Sequence, residues 1–293
     1  MNHQDALTTE IVEELARGLW PESGPLHLKR LHSENNQVYR VEGRDLDVVL
    51  KIQGKGETRA GAIKREIETI ESLRGIAKVP TILMHGENPR PYLVLPFYRS
   101  ESTDQALLDR AIADHVIILA NRKAVPLDLV AEKKEIESQR IYGVLDRAAA
   151  DVRFANWRPL IEGLKDGVSE LVDKDHMIYG QPQPGEIIIT NGDYVVVDWS
   201  EGVAPCFAGY QIAFLTYFTA IEDYKAATQR IAFFQDALSE SIPIDMTMVF
   251  HHWRILCIHI GMWLADQRQS IEPVIEYMEC FEYLTKAASS SQY

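Results

Sequence analysis

The chain has 293 residues, of which 46% are hydrophobic and 25% are charged, and its formal net charge at pH 7 is -13. A chain of this length can bury a large core, and the composition is ordinary for a soluble globular protein. The negative charge argues against a general nucleic-acid binder, because contacts with phosphates need a basic face. The same charge is compatible with a cationic small-molecule partner.

Cysteine usage and hydropathy limit the cellular compartments in which the protein is expected. Cys206, Cys257 and Cys280 are dispersed and odd in number, which favours reduced thiols over a disulfide framework. The N-terminus has no basic segment followed by an apolar run, so the sequence predicts no secretory signal. The most apolar late stretch, Met246–Ala265, contains three histidines and an arginine and is too polar for a membrane span. We therefore expect a cytoplasmic protein without a membrane partner.

The first third of the chain predicts a helix followed by an antiparallel sheet. The helix begins at Thr8 or Thr9 and ends near Leu19, because its apolar residues share one face. Five strand-like runs come next, and a second helix, Gly61–Leu73, separates the third run from the fourth. The five runs are His27–Leu31, Gln37–Glu42, Asp47–Ile52, Thr81–Met84 and Tyr92–Leu95.

A lysine stands inside the third apolar run. Burying an ammonium without a partner is costly, so Lys51 either faces water on an edge strand or meets an acid. The helix after this strand supplies Glu66 at the flank of its apolar face, with Glu68 as the second candidate. An ion pair between Lys51 and Glu66 would make the burial of the ammonium tolerable.

The rest of the chain is predicted to be mainly helical, with one hairpin. The turn Asn191-Gly192 joins two short β-branched runs, which is a strong hairpin signal, and Asp198 lies just past the second run. The predicted helices are one that contains Leu107 to Leu119, then Ile136–Val152, Leu160–Val172, Ala220–Leu238, Met246–Gln267 and Glu272–Ala287.

Three histidines of the late apolar helix are candidate metal ligands. His252 and His259 are seven residues apart and share a helical face, next to His251. No acid or cysteine nearby completes a ligand set, which favours buried or lining histidines over a metal site.

The stretch His176–Gly202 resembles the catalytic and metal-binding loops of the aminoglycoside phosphotransferase and choline kinase families, which are relatives of the protein kinases. Their pattern is roughly His-Gly-Asp-x-x-x-x-Asn, a hydrophobic hairpin, and then Ile-Asp-Trp. This chain keeps the frame at Gly180, Pro184-Gly185, Ile187–Ile189 and Val197-Asp198-Trp199. The resemblance implies an α+β, two-lobed protein-kinase-like fold, with an N-lobe over 1–97 and a helical C-lobe over 98–293.

The chemistry inside that frame departs from the family. Tyr179 stands in the place of the family histidine, Gln181 in that of the catalytic aspartate, and Glu186 in that of the metal-binding asparagine. Gln211 replaces the acid of a segment that supports the catalytic loop. A neutral amide cannot accept a proton at pH 7, so the resemblance implies impaired or non-standard phosphotransfer.

The resemblance implies ATP and Mg²⁺ as cofactors. The turn Ser33–Asn36 has no Gly-x-Gly, so an ordinary hairpin turn is the alternative to a nucleotide-covering loop. Pro96 lacks an N–H, which leaves Leu95 or Phe97 to supply a donor for adenine. The implied residues are Ser33, Asn35, Lys51, Glu66, Leu95 and Phe97 for the nucleotide, Glu186 and Asp198 for the metal, and Gln181 and Gln183 for catalysis.

Three functions stay open on these grounds. The first is a pseudokinase-like protein that binds ATP and magnesium but transfers phosphate poorly. The second is an active phosphotransferase with a hydroxyl or amino-sugar acceptor, in which Glu186, Gln183 or Glu201 compensates for the missing base. The third is a regulatory protein that binds no nucleotide.

Overall fold

The computed structural model describes residues 9–31, 36–54, 61–101, 104–122, 124–180, 187–200, 202–214, 224–242 and 245–290. Its contacts divide the chain into two compact units. The first comprises Met1–Ala111 and Gly185–Val203, and the second comprises Ile112–Pro184 and Ala204–Tyr293. The predicted lobe boundary between residues 97 and 98 stays a prediction.

The first unit contains a five-stranded antiparallel sheet with the strand order β1-β2-β3-β5-β4. Its strands are β1 His27–Leu31, β2 Asn36–Gly43, β3 Leu46–Gln53, β4 Met84–Gly86 and β5 Tyr92–Pro96. The predicted sheet is confirmed, but β4 begins three residues later than the predicted fourth strand. The reason is that the backbone N–H of Thr81 donates to the phenol of Tyr98, at 3.3 Å, so that it does not join a strand ladder.

Two helices pack on this sheet. Val12 and Ala16 of α1, Thr9–Leu19, are fully buried in a cluster that includes Val41 and Leu50 of the sheet. The other helix, α2, Ala62–Leu73, buries Ile63, Ile70 and Leu73 and contacts β3 and β5. Apolar faces with helical spacing therefore hold both helices, as the sequence predicted.

A hairpin from later in the chain belongs to the first unit as well. Its strands are β7, Ile187–Thr190, and β8, Asp193–Val196. Asn191 and Gly192 have φ angles of 52° and 71°, the left-handed conformation that a tight two-residue hairpin turn requires. The predicted hairpin is confirmed.

The second unit is mainly helical. The division between the units falls within α3, Gln105–Arg122, and β6, Met177–Gly180, pairs with β9, Ala204–Phe207, as an antiparallel two-stranded ladder. The elements are α3 Gln105–Arg122, α4 Leu127–Ala150, α5 Arg158–Asp166, α6 Val168–Lys174, β6 Met177–Gly180, β9 Ala204–Phe207, α7 over 208–214, α8 Tyr224–Leu238, α9 Met246–Arg268 and α10 Glu272–Ser290.

Two of the predicted helices differ from the observed ones. The helix predicted from Ile136 begins at Leu127, directly after Pro126. The single helix predicted over Leu160–Val172 is interrupted at Gly167, where a Cβ would lie 2.6 Å from the Cε1 atom of His251. A side chain at position 167 would therefore displace the His251 ring, and glycine has a low helix propensity.

Most of α9 is buried within the second unit, including Phe250, Trp253 and Ile258. The helix begins at a capping residue, because the Asp245 carboxylate accepts a hydrogen bond from the Thr247 N–H at 2.8 Å. In the described part of the chain, no helix combines the length and the apolarity needed to cross a membrane.

Candidate functional site

Lys51 lies on β3, which has β2 on one side and β5 on the other. Its side chain is 10% exposed. The alternative of a lysine that faces water from an edge strand is therefore excluded. A buried ammonium on a central strand needs an acidic partner.

The partner is Glu66, whose side chain on α2 is fully buried. The Lys51 Nζ donates to its Oε1 at 2.5 Å. Glu68, the second candidate, has a side chain that is 62% exposed and lies 3.8 Å from Lys64. Burial raises the pKa of the Glu66 carboxyl, and the positive charge of Lys51 opposes this shift. The ammonium thus stabilises a carboxylate that would otherwise favour its protonated form.

Asp198 comes close to the same ammonium. Its Oδ1 lies 3.9 Å from the Lys51 Nζ, and its side chain is 50% exposed. The Nζ also donates to the backbone oxygen of Val197 at 3.1 Å. Lys51, Glu66 and Asp198 therefore converge within the first unit, with one acid buried behind the ammonium and the other half-exposed.

Several bonds fix the position of Asp198. Trp199 is fully buried, and its Nε1 donates to the Val196 oxygen at 2.7 Å. The Val196 N–H donates to the Lys78 oxygen at 2.9 Å, and the Lys78 ammonium lies 2.5 Å from an Asp193 oxygen. Asp198 thus lies between a hydrogen-bonded hairpin strand and the fully buried indole of Trp199, and both neighbours fix its backbone within the first unit.

At the end of β5, the backbone N–H groups that were predicted to contact a ligand point toward the neighbouring strand. The Phe97 N–H donates to the Asp47 oxygen at 3.1 Å, and Leu95 pairs with Val49 in the same register. Because the N–H groups of alternate residues point to the same side in an antiparallel strand, both Leu95 and Phe97 direct their N–H toward β3. The donor predicted at either residue is therefore not open to a ligand in this structure.

Contact of a ligand with Leu95 or Phe97 by other atoms stays a prediction. The strand alternation instead makes Tyr98 the next donor candidate, because it lies two residues past the proline that has no N–H. The sequence prediction placed Tyr98 in the segment Leu93–Tyr98 between the lobes but named Leu95 or Phe97 as the donor, although the period of two in a strand was available as a signal. The Arg40 guanidinium lies over the phenyl ring of Phe97, with its Cζ 4.0 Å from the ring centroid.

Five of the predicted site residues lie outside the described part of the chain. They are Ser33, Asn35, Gln181, Gln183 and Glu186. Their predicted roles stay predictions.

In the second unit, β6 ends at Gly180, directly before the segment with Gln181. A Cβ on Gly180 would lie 2.5 Å from the Cys206 Sγ and 2.7 Å from the Gln211 Oε1. The Cys206 thiol donates to that amide oxygen at 3.4 Å. Only a glycine fits at this place, and Gln211 is packed against the end of β6.

A buried acid joins the start of β6 to two helices. An oxygen of Asp175 lies 2.7 Å from the His252 Nε2, and the other accepts from the Gly209 N–H at 3.1 Å. The side chains of Asp175 and His252 are 4% and 1% exposed. In the part of the chain that is described, no three His, Cys, Asp or Glu side chains are grouped as metal ligands. His252 is paired with the acid Asp175. For the neighbouring His251, burial lowers the pKa of the imidazole to about 4.

Known structures place this architecture. No protein-family model matches the sequence, and no curated protein matches it significantly. Solved structures match over almost the whole chain at low identity. The GDP complex of aminoglycoside 2'-phosphotransferase-IIIa is 15% identical, with a TM-score of 0.61, and the match covers 96% of this chain and 99% of the other.

Two further matches have the same character. The choline kinase LicA from Streptococcus pneumoniae is 12% identical, with a TM-score of 0.62, and the match covers 96% of this chain and 99% of that one. Spectinomycin phosphotransferase APH(9)-Ia, in complex with ADP and spectinomycin, is 13% identical, with a TM-score of 0.56, over 94% and 97% of the two chains. The resemblance predicted from the sequence is thereby confirmed at the level of the fold: the chain has the protein-kinase-like fold of aminoglycoside phosphotransferases and choline kinases.

Proposed function

We propose that the first unit binds a magnesium–purine nucleotide through Lys51 and Asp198, and that transfer of its phosphate is slow. The observation that carries the proposal is the convergence of Lys51, Glu66 and Asp198. An ammonium on a central strand neutralises phosphate charge, and a half-exposed carboxylate oxygen suits Mg²⁺. The donor set therefore fits the nucleotide and metal that the resemblance implies.

Each residue of this chain would have a defined task. Lys51 would contact phosphate oxygens while Glu66 holds its ammonium in place. Asp198 would hold the metal, which supplies charge neutralisation at the phosphates when it is bound. Glu186 is the second metal residue of the proposal. Ser33, Asn35 and the Tyr98 backbone are proposed to contact the nucleotide.

Slow transfer follows from Gln181. An amide can orient an acceptor hydroxyl by hydrogen bonding, but it cannot remove the proton. The absence of general-base assistance costs on the order of 10²–10⁴ in rate. We propose a small-molecule acceptor, with Gln183 near it, in a cytoplasmic protein.

An active phosphotransferase is the second candidate. The matched kinases include complexes with GDP and with ADP, and the retained Lys51–Glu66 pair favours a working phosphate site. In this case Glu186, Gln183 or Glu201 would take the proton. Turnover of ATP or GTP with hydroxylated and amino-sugar acceptors distinguishes the candidates, and Gln181→Asp should increase any transfer that exists.

The test of nucleotide binding is a thermal and calorimetric titration with ATP and GTP, each with Mg²⁺. Binding should stabilise the native chain by about 2.7 kcal/mol when the nucleotide is present at about one hundred times its dissociation constant. Asp198→Ala should weaken the metal-dependent part of the binding. Asp193→Ala is the matched control, since this acid lies on the same hairpin but pairs with Lys78. Absence of stabilisation by both nucleotides at millimolar concentration would favour the regulatory alternative.

A further inference from the structure

Helix α2 contacts the residues that follow Asp198 at two places. The Arg65 Nε donates to the Ser200 backbone oxygen at 3.4 Å. Thr69 lies four residues further along the helix and shares the face of Arg65. Its Oγ1 is 3.4 Å from the position that a Cβ on Gly202 would take. All of these residues belong to the first unit, so one face of α2 packs on the chain after the acid.

Two internal hydrogen bonds shape this stretch, residues 198–200 and 202, which we call the Asp198 turn. The Ser200 N–H donates to the Asp198 Oδ1 at 3.1 Å, and the Gly202 N–H donates to the Trp199 oxygen at 2.9 Å. Ser200 is buried. It therefore accepts a hydrogen bond from α2 with its oxygen and donates one to the proposed metal acid with its N–H.

Two cations hold the backbone on either side of Asp198. The Lys51 Nζ donates to the Val197 oxygen at 3.1 Å, and Arg65 donates to the oxygen of Ser200. Lys51 is itself held by Glu66, which follows Arg65 directly on α2. Neighbouring residues of one helix thus reach both flanks of the acid, one through the lysine and the other directly.

The position of Arg65 in the helix is electrostatically unfavourable. The N-terminus of a helix carries a partial positive charge, and the first turn of α2 has no acidic residue. A Cβ on Gly61, the residue before α2, would lie 3.6 Å from the Arg65 Nη1, so the guanidinium lies near that end. The negative end of the Ser200 carbonyl dipole offsets part of this cost.

We propose that Arg65 is a positioning residue for Asp198: its guanidinium holds the Ser200 carbonyl and so fixes the direction of the carboxylate. The proposal rests on the proposed function, in which Asp198 holds magnesium with the nucleotide. Arg65 touches neither of them. Its loss should therefore raise the magnesium requirement of nucleotide binding and leave the affinity for the metal-free nucleotide unchanged.

The first test needs no nucleotide. Hydrogen exchange with mass spectrometry, on a peptide that spans residues 198–203, reports on the N–H groups of Ser200 and Gly202. Arg65 is exposed, so Arg65→Gln should fold, and the peptide should exchange about threefold faster, near the lower limit for the loss of one hydrogen bond. Lys64→Gln is the matched control, because Lys64 precedes Arg65 and lies 3.8 Å from Glu68. Equal exchange in the two variants overturns the proposal.

The second test separates positioning from general loss of structure. Calorimetric titrations with ATP and with GTP, at a series of Mg²⁺ concentrations and in a chelator, give the half-saturating Mg²⁺ concentration and the metal-free affinity. Arg65→Gln should raise the former about threefold, whereas Lys64→Gln should not. Weaker binding in the chelator as well would indicate a merely structural role and contradict the proposal.

A backbone variant tests the Asp198 turn without removing a charge. Gly202 has a φ of 76°, which is strained for a residue with a Cβ, so Gly202→Ala should raise the Mg²⁺ requirement as Arg65→Gln does. Gly75→Ala is the matched control, because Gly75 has the same φ and a Cβ on it would meet no heavy atom within 4 Å. Equal effects of the two glycine variants would contradict the role of the turn.

The two proposals fail separately. If the wild-type chain binds neither nucleotide, the proposed function is wrong, and the exchange comparison still decides whether Arg65 holds the Asp198 turn. If the wild-type chain binds a nucleotide with Mg²⁺ and Arg65→Gln has the same Mg²⁺ requirement, only the role of Arg65 is wrong.

Discussion

At the scale of single residues, the Lys51–Glu66 contact is a buried ion pair that the loss of either partner would disrupt. Lys51→Met would leave the fully buried Glu66 carboxyl without its ammonium, and the loss of one partner of a buried pair costs about 3–5 kcal/mol. Burial already raises the pKa of Glu66 and Lys51 opposes it, so the variant should raise this pKa further. At pH values above the pKa that the Glu66 carboxyl has in the unfolded chain, the folded variant would then bind more protons than the unfolded chain. Its free energy of unfolding should therefore fall as the pH rises.

Urea unfolding of Lys51→Met at several pH values between about 5 and 8 measures this effect, which should approach about 1.4 kcal/mol per pH unit. The double variant Lys51→Met/Glu66→Gln is the control, because it has no carboxyl to titrate at this place. If both variants show the same pH dependence, Glu66 is not the group responsible.

The same scale shows what the sequence could predict. A lysine inside an apolar run either faces water or needs an acidic partner, and the position of Glu66 on the next helix, together with the family resemblance, favoured Glu66 over Glu68. The donor at Leu95 or Phe97 could not be assessed in the same way. Whether an N–H is free depends on the register between β5 and β3, and a pairing such as Phe97 with Asp47 is set by the three-dimensional fold.

At the scale of elements, Asp175 connects three segments of the second unit. Its carboxylate bonds the Gly209 N–H in α7 and the His252 ring in α9, at the start of β6. Each hydrogen bond to a charged group contributes about 1.5–3 kcal/mol. Asp175→Ala should therefore lower the free energy of unfolding by about 3 kcal/mol or more, as measured by denaturant titration.

The matched variant for this prediction is Asp245→Ala. This acid also accepts a hydrogen bond from a helix N–H, but it is exposed and caps one helix only, so its loss should cost about 1 kcal/mol. A loss at Asp175 no larger than the loss at Asp245 would mean that the His252 contact contributes little.

Helix boundaries show why pattern alone was insufficient at this scale. The apolar period over Leu160–Val172 continues without interruption, so one helix was predicted. The observed break falls at Gly167, a residue of low helix propensity, and the close approach of the His251 ring, from a helix about eighty residues later, is not visible in the local pattern. Strands and helices with one clear apolar face, such as α2 and β2, were predicted almost to the residue, because local pattern decides them.

At the scale of the whole molecule, the three thiols should be unreactive until the chain unfolds. Cys257 and Cys280 are buried, and burial raises the pKa of the Cys206 thiol to about 12. The thiolate is the reactive form. An aromatic disulfide reagent at about pH 8 should label fewer than one thiol per native chain and all three in denaturant.

Rapid labelling of one thiol in the native chain would contradict this expectation. Substitution of each cysteine in turn by serine identifies the residue that reacts.

The fold as a whole was predictable because the frame around Gly180 and Asp198 matched a known pattern. The acceptor was not, because the segments that would determine it have no comparable pattern.

The first unit is assembled from two stretches of chain that are separated by residues 112–184. During synthesis on the ribosome, the residues of the sheet emerge long before Asp198 and Trp199. The hydrogen bond from the Lys51 ammonium to the Val197 oxygen can therefore form only after the later stretch has been made. Nascent chains that end near residue 111 should therefore remain sensitive to protease. A gene cut at that codon would separate the two halves of one folding unit, so the shortest piece that can be expressed in a stable form should extend past residue 203.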